Sequence, residues 1–129
     1  MVEVIKQYVL IWNEKSISDL KNVFQANARY WDALQEGNAI ELLENSISTT
    51  HIAFPDVSFE IISLNYASEN KIFMEWLMMG TNNGTFFGAA PTGKRIEIKG
   101  LDYFVCENGK ISEIKSFYDS SLFHHQLEI

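Results

Sequence analysis

Residues 95–119 read RIEIKGLDYFVCENGKISEIKSFYD, and this stretch decides the fold class. Apolar and polar residues alternate from Arg95 to Cys106, which predicts a long strand with two different faces. Asn108-Gly109 is a dipeptide that two-residue hairpin turns favour, because both residue types tolerate positive φ angles. A second strand, antiparallel to the first, is therefore expected from Lys110 to Asp119.

Two more strands are expected upstream of this hairpin. Residues 57–66 and 71–81 read as strands that flank the polar turn Ser68-Glu69-Asn70. Asn82-Asn83-Gly84 suggests a further hairpin, and Ala90-Pro91-Thr92-Gly93 reads as a loop. The second half of the chain is thus predicted to form an antiparallel sheet.

The first 53 residues read as mostly helical, and Pro55-Asp56 ends this part. Residues 29–33 look like a short strand or an extended link, and residues 120–128 like a short terminal helix. Helices followed by an antiparallel sheet indicate an α+β domain, with helices over one face of a curved sheet and a space between them. The helix predictions rest on Val2, Ile5, Val9 and Trp12, on the capping-box pair Ser16 and Asp19 before Leu20, Val23 and Phe24, and on Asn38 with Glu41 before Leu43 and Ile47.

The composition suits one globular domain, residues 1–129. Hydrophobic residues make up 47% of the chain, which argues against disorder. Seventeen acidic residues against ten basic ones give a net charge of -7. The lysines and arginines are scattered, so the sequence argues against nucleic acid and anionic membranes as partners.

Cysteine usage and motifs exclude several classes of site. Cys106 is the only cysteine, so neither an internal disulfide nor a cysteine-based zinc site is possible. HxxxH, GxGxxG, GxxxxGK[ST] and GxSxG patterns do not occur, and we expect no metal and no cofactor. We see no signal peptide and no apolar run near the roughly 18 residues of a membrane helix. A cytoplasmic protein is expected.

Asp102 is the most informative residue of the long strand. A strand without a bulge places it on the more apolar face, as the only charge there. Burial would raise its pKa, and a protonated carboxyl can donate a hydrogen bond to a developing oxyanion. The structural alternative is an Asp that bonds to backbone or a tyrosine and holds the sheet together. The other members of this face are Ile96, Ile98, Gly100, Phe104 and Cys106.

Three other side chains are candidates for acid or base chemistry. Asp119 follows the last strand and is equally a good helix N-cap before Ser-Ser-Leu-Phe. Asp32 follows Tyr30 and Trp31, as a turn residue or a pocket residue. His51 is either a pocket acid or base, or a residue that favours a helix C-terminus.

A set of apolar residues is expected to line a pocket for a small apolar molecule. Met74, Trp76 and Met78 share one face of their strand, where flexible thioethers suit an apolar ligand or fill a core. The full expected lining is Trp12, Trp31, Met74, Trp76, Met78, Phe104 and Tyr118.

Several stretches, in their order and spacing, resemble the SnoaL-like polyketide cyclase family of the NTF2-like superfamily. The resemblance implies a cone-shaped α+β fold, with helices packed on a strongly curved antiparallel sheet around a pocket. It implies a dimer formed through the sheet. It also implies that Asp119 is the general acid/base of an intramolecular aldol closure. The stretches are Ala53-Phe54-Pro55-Asp56, Trp76 with Gly80-Thr81, Gly84-Thr85-Phe86-Phe87-Gly88, Pro91-Thr92-Gly93-Lys94, Gly109-Lys110-Ile111, and Asp119 with Leu122 and Gln126-Leu127.

The first half is similar to another branch of that superfamily, the ketosteroid isomerases. Tyr8, within VIKQYV at residues 4–9, matches the oxyanion-hole tyrosine of that branch. Asp32 matches its proton-shuttling base, and Asp102 matches its second oxyanion-hole donor.

Together these features predict a cofactor-independent enzyme that removes a proton α to a carbonyl and then closes a ring or moves a double bond. Asp119 or Asp32 is the expected base, Tyr8 and Asp102 the expected oxyanion donors, with assistance from His51. A non-catalytic binding or dimerising module is the alternative from another class, and hydrolysis by water held between carboxylates is a third. The apolar face with Leu101, Tyr103 and Val105 predicts a homodimer.

Overall fold

The computed structural model describes residues 1–129, the whole chain. It contains four α-helices, a short 3-10 helix (Ile17–Asp19) and six strands. The helices are α1 (Val2–Glu14), α2 (Leu20–Val23), α3 (Ala39–Ala53) and α4 (Ser121–Leu127). The strands are β1 (Phe24–Asp32), β2 (Gln35–Asn38), β3 (Ser58–Ser68), β4 (Lys71–Thr81), β5 (Arg95–Glu107) and β6 (Lys110–Phe117).

The six strands form one open sheet in the order β2-β1-β6-β5-β4-β3. All neighbouring pairs are antiparallel except β1 and β6, which run parallel. The helices pack on one face of this curved sheet, so the predicted α+β architecture is confirmed. None of the helices combines the length and the apolar character needed to cross a membrane.

The register of the three central strands brings the main residues of the inner face together. Asp102 on β5 lies opposite Met74 on β4 and opposite Ser116 on β6. Trp76 lies opposite Gly100. The face predicted to be apolar is the buried one: Ile96, Ile98, Asp102, Phe104 and Cys106 are all buried.

Local sequence signals correctly predicted the start of α3, the turn between β5 and β6, and the β3–β4 hairpin. Asn38 caps α3, because its side-chain oxygen accepts a hydrogen bond from the Glu41 amide. Asn108 and Gly109 have φ angles of 52° and 78° and turn the chain directly from β5 into β6. The β3–β4 hairpin also lies where the polar turn predicted it.

The prediction that the first 53 residues are mostly helical is wrong for residues 24–28 and 35–38, which belong to β1 and β2. The short strand or extended link expected at residues 29–33 is confirmed as the second part of β1. Gln25 and Asn27, with the exposed Ala26 between them, hide the strand pattern, which becomes regular only at Ala28, Tyr30 and Asp32. A register shift between Phe24 and Arg29 accompanies this irregular start. Phe24 is therefore the first residue of a strand and not part of a helix.

Two smaller predictions are also wrong. Ser16 makes no side-chain capping bond, because only a 3-10 turn and the four-residue α2 follow it. Asn82-Asn83-Gly84 begins a long connection to β5 and is not a tight hairpin. The buried Asn82 side chain holds this connection by donating to the carbonyls of Ala53 and Gly84 and accepting from the Thr92 amide and hydroxyl.

The outer face of the sheet carries aromatic and aliphatic side chains that no helix covers. Phe73, Leu101 and Phe117 are 36%, 37% and 45% exposed. Phe73 packs on Tyr103 with ring centroids 5.2 Å apart, and Phe117 packs on Trp31 at 5.3 Å. We propose that two copies of the chain pair through this face.

This proposal predicts that sedimentation at micromolar concentration gives twice the chain mass. Phe73→Glu should yield a folded monomer, because it places a charge in the paired surface. Leu10→Glu is the matched control, since Leu10 is exposed on α1, away from the sheet face. A monomeric parent protein would contradict the proposal.

Candidate functional site

A cavity of about 650 Å³ lies between the inner face of the sheet and the helices. Its lining comes from α1, α3, α4, the central strands and the connection between β4 and β5. This volume falls within the range of small-molecule sites. Lysine and arginine side chains are absent from the lining, whereas two aspartates are present.

One wall of the cavity is apolar and comes mainly from β4. Met74, Trp76 and Met78 are buried and line the cavity, as the strand alternation predicted. Trp12 and Tyr118 also line it. These five expected lining residues therefore lie together around one space.

Two expected lining residues lie elsewhere. Trp31 points to the outer face of the sheet and packs against Phe117. Side chains alternate between the two faces of a strand, and Tyr30 and Asp32 on β1 point inwards, so Trp31 between them points outwards. Phe104 is fully buried and sits behind Tyr8, with ring centroids 5.7 Å apart. It belongs to the core that supports Tyr8.

Asp102 is the buried carboxyl at the centre of the cavity wall. Its Oδ1 accepts hydrogen bonds from Trp76 Nε1 at 2.9 Å and from Ser116 Oγ at 2.6 Å. Its Oδ2 has no protein partner and faces the cavity. The residue is 5% exposed and pairs with neither Lys99 nor Arg95. The prediction that Asp102 is buried and faces the cavity is confirmed.

Burial raises the pKa of Asp102 to about 6, and the hydrogen bonds from Ser116 and Trp76 act in the opposite direction. A pKa near 6 lets the group hold or release a proton close to neutral pH, which is the range where general acid–base catalysis is most effective.

The bond from Trp76 to Asp102 depends on Gly100. A Cβ atom at position 100 would lie 2.0 Å from Cζ2 of the Trp76 ring. Only glycine therefore lets the indole lie across β5 and bring its N–H to Asp102. Gly100 is required here for the close approach of a side chain.

Tyr8 is the phenol on the α1 side of the cavity. It is 3% exposed and packs edge-on against Phe24 and Phe104. Burial raises its pKa well above the usual value, and the negative charge of Asp102 raises it further. The Tyr8 hydroxyl donates to no acceptor within the protein, so its proton is free for a ligand.

Asp32 also lines the cavity, but its oxygens are engaged. Oδ1 accepts from the amides of Leu34 and Gln35 at 2.7 and 3.0 Å. Oδ2 accepts from Tyr30 Oη at 2.6 Å and from Gln35 Nε2 at 3.5 Å. These bonds occupy about four acceptor positions, the capacity of a carboxylate. Asp32 thus fixes the turn between β1 and β2 and holds the Tyr30 hydroxyl.

The structure does not bring Asp119 or His51 to the cavity. Asp119 is exposed, and its Oδ1 accepts from the Ser121 amide at 3.0 Å and from the Ser121 hydroxyl at 2.6 Å, which fixes the start of α4. His51 Nε2 is 2.6 Å from the Trp12 carbonyl and joins α3 to α1. Asp119 precedes Ser120, the N-cap position of α4, and is not itself the predicted N-cap. His51 lies in the last turn of α3, as its structural alternative predicted.

Ser116 is the site residue that sequence reasoning missed. Its position opposite Asp102 depends on a register shift between Val105 and Cys106 of β5, where β6 contains one extra residue, Ser112. A metal site is not formed, since no three His, Cys, Asp or Glu side chains come together. Tyr118, whose pKa is raised to about 12 by burial and then by Asp32 and Asp102, completes the polar end of the cavity.

A family model described as SnoaL-like polyketide cyclase matches residues 2–127. AclR from Streptomyces galilaeus, a candidate hydroxylase, has a TM-score of 0.85 at 20% identity, covering 98% of this chain and 79% of its own. IdmH from Streptomyces antibioticus, a candidate polyketide cyclase, has a TM-score of 0.82 at 19% identity, covering 99% and 98%. An NTF2-like protein from Exiguobacterium sp. 255-15 has a TM-score of 0.71 at 16% identity, covering 91% and 98%. No curated protein matches the chain.

The raised pKa of Asp102 predicts that Asp102→Asn stabilises the protein at pH 8. The folded state releases its proton near pH 6, whereas an unfolded Asp does so near the ordinary value of 3.8. Ionisation therefore costs the folded state about 3 kcal/mol at pH 8, and this penalty shrinks as the pH falls below about 6. Urea unfolding of both proteins from pH 5 to pH 8 measures it. An equal or lower stability of Asp102→Asn at pH 8 would contradict the assignment.

The close approach at Gly100 predicts that Gly100→Ala displaces the Trp76 ring. We expect a loss of about 1–3 kcal/mol, as in other overpacked interiors, and a changed near-UV circular dichroism signal. Gly37→Ala is the control, because its added Cβ meets only the end of the Leu42 side chain, at 3.2 Å. Equal losses of stability in the two variants would contradict the requirement for glycine next to the Trp76 ring.

Proposed function

Because this chain belongs to the SnoaL-like polyketide cyclase family, whose membership supports a cyclase-type role, we propose that it removes a proton α to the carbonyl of a small apolar compound. Asp102 is the base and Tyr8 is the hydrogen-bond donor to the carbonyl oxygen. The reaction then proceeds to aldol ring closure or to migration of a double bond.

One observation carries this proposal: a buried carboxyl with one free oxygen shares a cavity with a phenol that keeps its proton. Asp102 Oδ2 is the unpaired carboxyl oxygen on the wall, whereas all four principal positions of Asp32 are taken. Asp119 lies outside the cavity. The geometry therefore favours Asp102 as the base over the two residues that the sequence suggested.

The proposed step is a transfer of one proton without a cofactor. The Oδ2 lone pair takes the α-proton, the C–H electrons form the enolate, and its oxygen accepts a hydrogen bond from Tyr8 Oη. In ring closure, the enolate carbon attacks a second carbonyl of the same molecule, and the alkoxide that forms takes the proton back from Asp102. In double-bond migration, Asp102 returns the proton to a different carbon. Ser116 and Trp76 hold Oδ1 throughout and fix the direction of Oδ2.

The charges of the cavity limit the substrate to uncharged compounds. An anion would lie near Asp32 and Asp102 without a lysine or arginine side chain to pair with it. The wall of Met74, Trp76 and Met78 favours an apolar ring system. An enolisable aromatic ketone such as 2-tetralone is therefore a suitable probe.

The proposal predicts that the protein accelerates exchange of the α-protons of 2-tetralone for deuterium in D₂O, which NMR follows directly. The rate should rise with pH through about 6 and then level off, because the base must be ionised. Asp102→Asn should lower the rate at least about 100-fold, and Tyr8→Phe by a similar factor. Asp119→Asn is the control, because it removes the same charge outside the cavity. This variant should accelerate the exchange as much as the parent protein does.

Other outcomes point to other assignments. A rate that falls through pH 6 would give Asp102 the role of a protonated oxyanion donor, with Asp32 as the base. A loss of exchange in Asp119→Asn would restore the role that the resemblance implies for Asp119. Binding of several enolisable ketones without faster exchange would make the protein a non-catalytic binding module.

A further inference from the structure

Helix α3 contributes mostly polar side chains to the cavity. Asn45, Ser46, Thr49 and Thr50 line it, with Ile52 as the one apolar residue of α3. Residues four apart lie on the same face of a helix, so Ser46 and Thr50 present their hydroxyls about 6 Å apart along the axis. The cavity therefore has one apolar wall and one hydroxyl-bearing wall.

The two neighbouring threonines differ in how the fold uses them. The Thr49 hydroxyl donates to the carbonyls of Asn45 and Ser46 at 3.0 and 3.2 Å, and its side chain is exposed. The Thr50 hydroxyl makes no hydrogen bond within the protein, and Thr50 is half-buried. The fold thus leaves one hydroxyl without a partner on the cavity wall.

Ser46 adds a second group beside it. Its hydroxyl accepts a long bond of 3.4 Å from Gln35 Nε2, which also contacts Asp32. Its own proton stays available for an acceptor. Ser46 and Thr50 can therefore each donate to a ligand oxygen or accept from a ligand hydroxyl.

We propose that Thr50, assisted by Ser46, recognises a second oxygen substituent of the substrate. The substrate class is then a flat ring ketone with a hydroxyl or carbonyl group on the edge that faces α3 and an unsubstituted edge that faces Met74 and Met78. This inference rests on the proposed function only for the identity of the reacting carbonyl.

The physical basis is the cost of a polar group left unpaired. A ligand without the substituent displaces water from the Thr50 hydroxyl and returns no bond, whereas a ligand with it restores the bond. One such bond corresponds to an affinity gain of about three- to tenfold.

The test uses 2-tetralone and its four isomers hydroxylated on the aromatic ring. Trp12 and Trp76 line the cavity, so quenching of tryptophan fluorescence reports binding without any turnover. At least one isomer should bind about three- to tenfold more tightly than 2-tetralone. Thr50→Val should remove the difference between the ketones. It should bind 2-tetralone at least as tightly as the parent protein, because valine keeps the shape of threonine without a hydroxyl that the ligand leaves unpaired.

Ser48→Ala is the matched control, because Ser48 is a hydroxyl residue of α3 that does not line the cavity, and it should keep the gain. The proposal is overturned if no isomer gains affinity, if Thr50→Val weakens all five ketones equally, or if Ser48→Ala removes the gain as well. Failure to bind any of the five ketones also overturns it.

Binding and exchange separate this inference from the proposed function. In one outcome, the hydroxylated ketones bind more tightly, Thr50→Val loses this preference, and the protein does not accelerate deuterium exchange. This outcome supports the inference and contradicts the proposed chemistry. Exchange of all five ketones without preference supports the chemistry and contradicts the role of Thr50.

Discussion

The Trp76 indole lies across β5 at Gly100 and donates its N–H to Asp102 at 2.9 Å. With Ser116, this bond fixes one carboxyl oxygen and leaves the other free in the cavity. A side chain at position 100 would collide with the indole ring. A different register of β6 would place another residue opposite Asp102 instead of Ser116. The candidate site therefore depends on how three neighbouring strands present their inner faces.

The two buried aspartates illustrate how position decides chemistry. Asp32 is saturated by two backbone amides, a phenol and an amide side chain, which makes it part of the β1–β2 turn. Asp102 has two donors and one unpaired oxygen, and burial raises its pKa to about 6. A carboxyl in that state destabilises the fold at neutral pH, which is typical of residues kept for function.

The strand pattern of β5 predicts much of the site, because simple alternation places Asp102 inside among Ile98 and Phe104. Counting back from the Asn108-Gly109 turn would put Lys115 opposite Asp102. A register shift between Val105 and Cys106 puts Ser116 there and turns Lys115 towards Glu113, 3.5 Å away. Such shifts leave no clear trace in the sequence. The same limit applies to Asp119, whose side chain turns to Ser121 and not to the cavity.

The most direct measurement of the central claim is the titration of the Asp102 carboxyl carbon by ¹³C NMR, with the signal assigned by its loss in Asp102→Asn. We expect a midpoint at about pH 6. We also expect a higher midpoint in Trp76→Phe, because the indole bond lowers the pKa. A midpoint near 4, the ordinary value for an exposed aspartate, would contradict the claim that Asp102 is a desolvated acid/base.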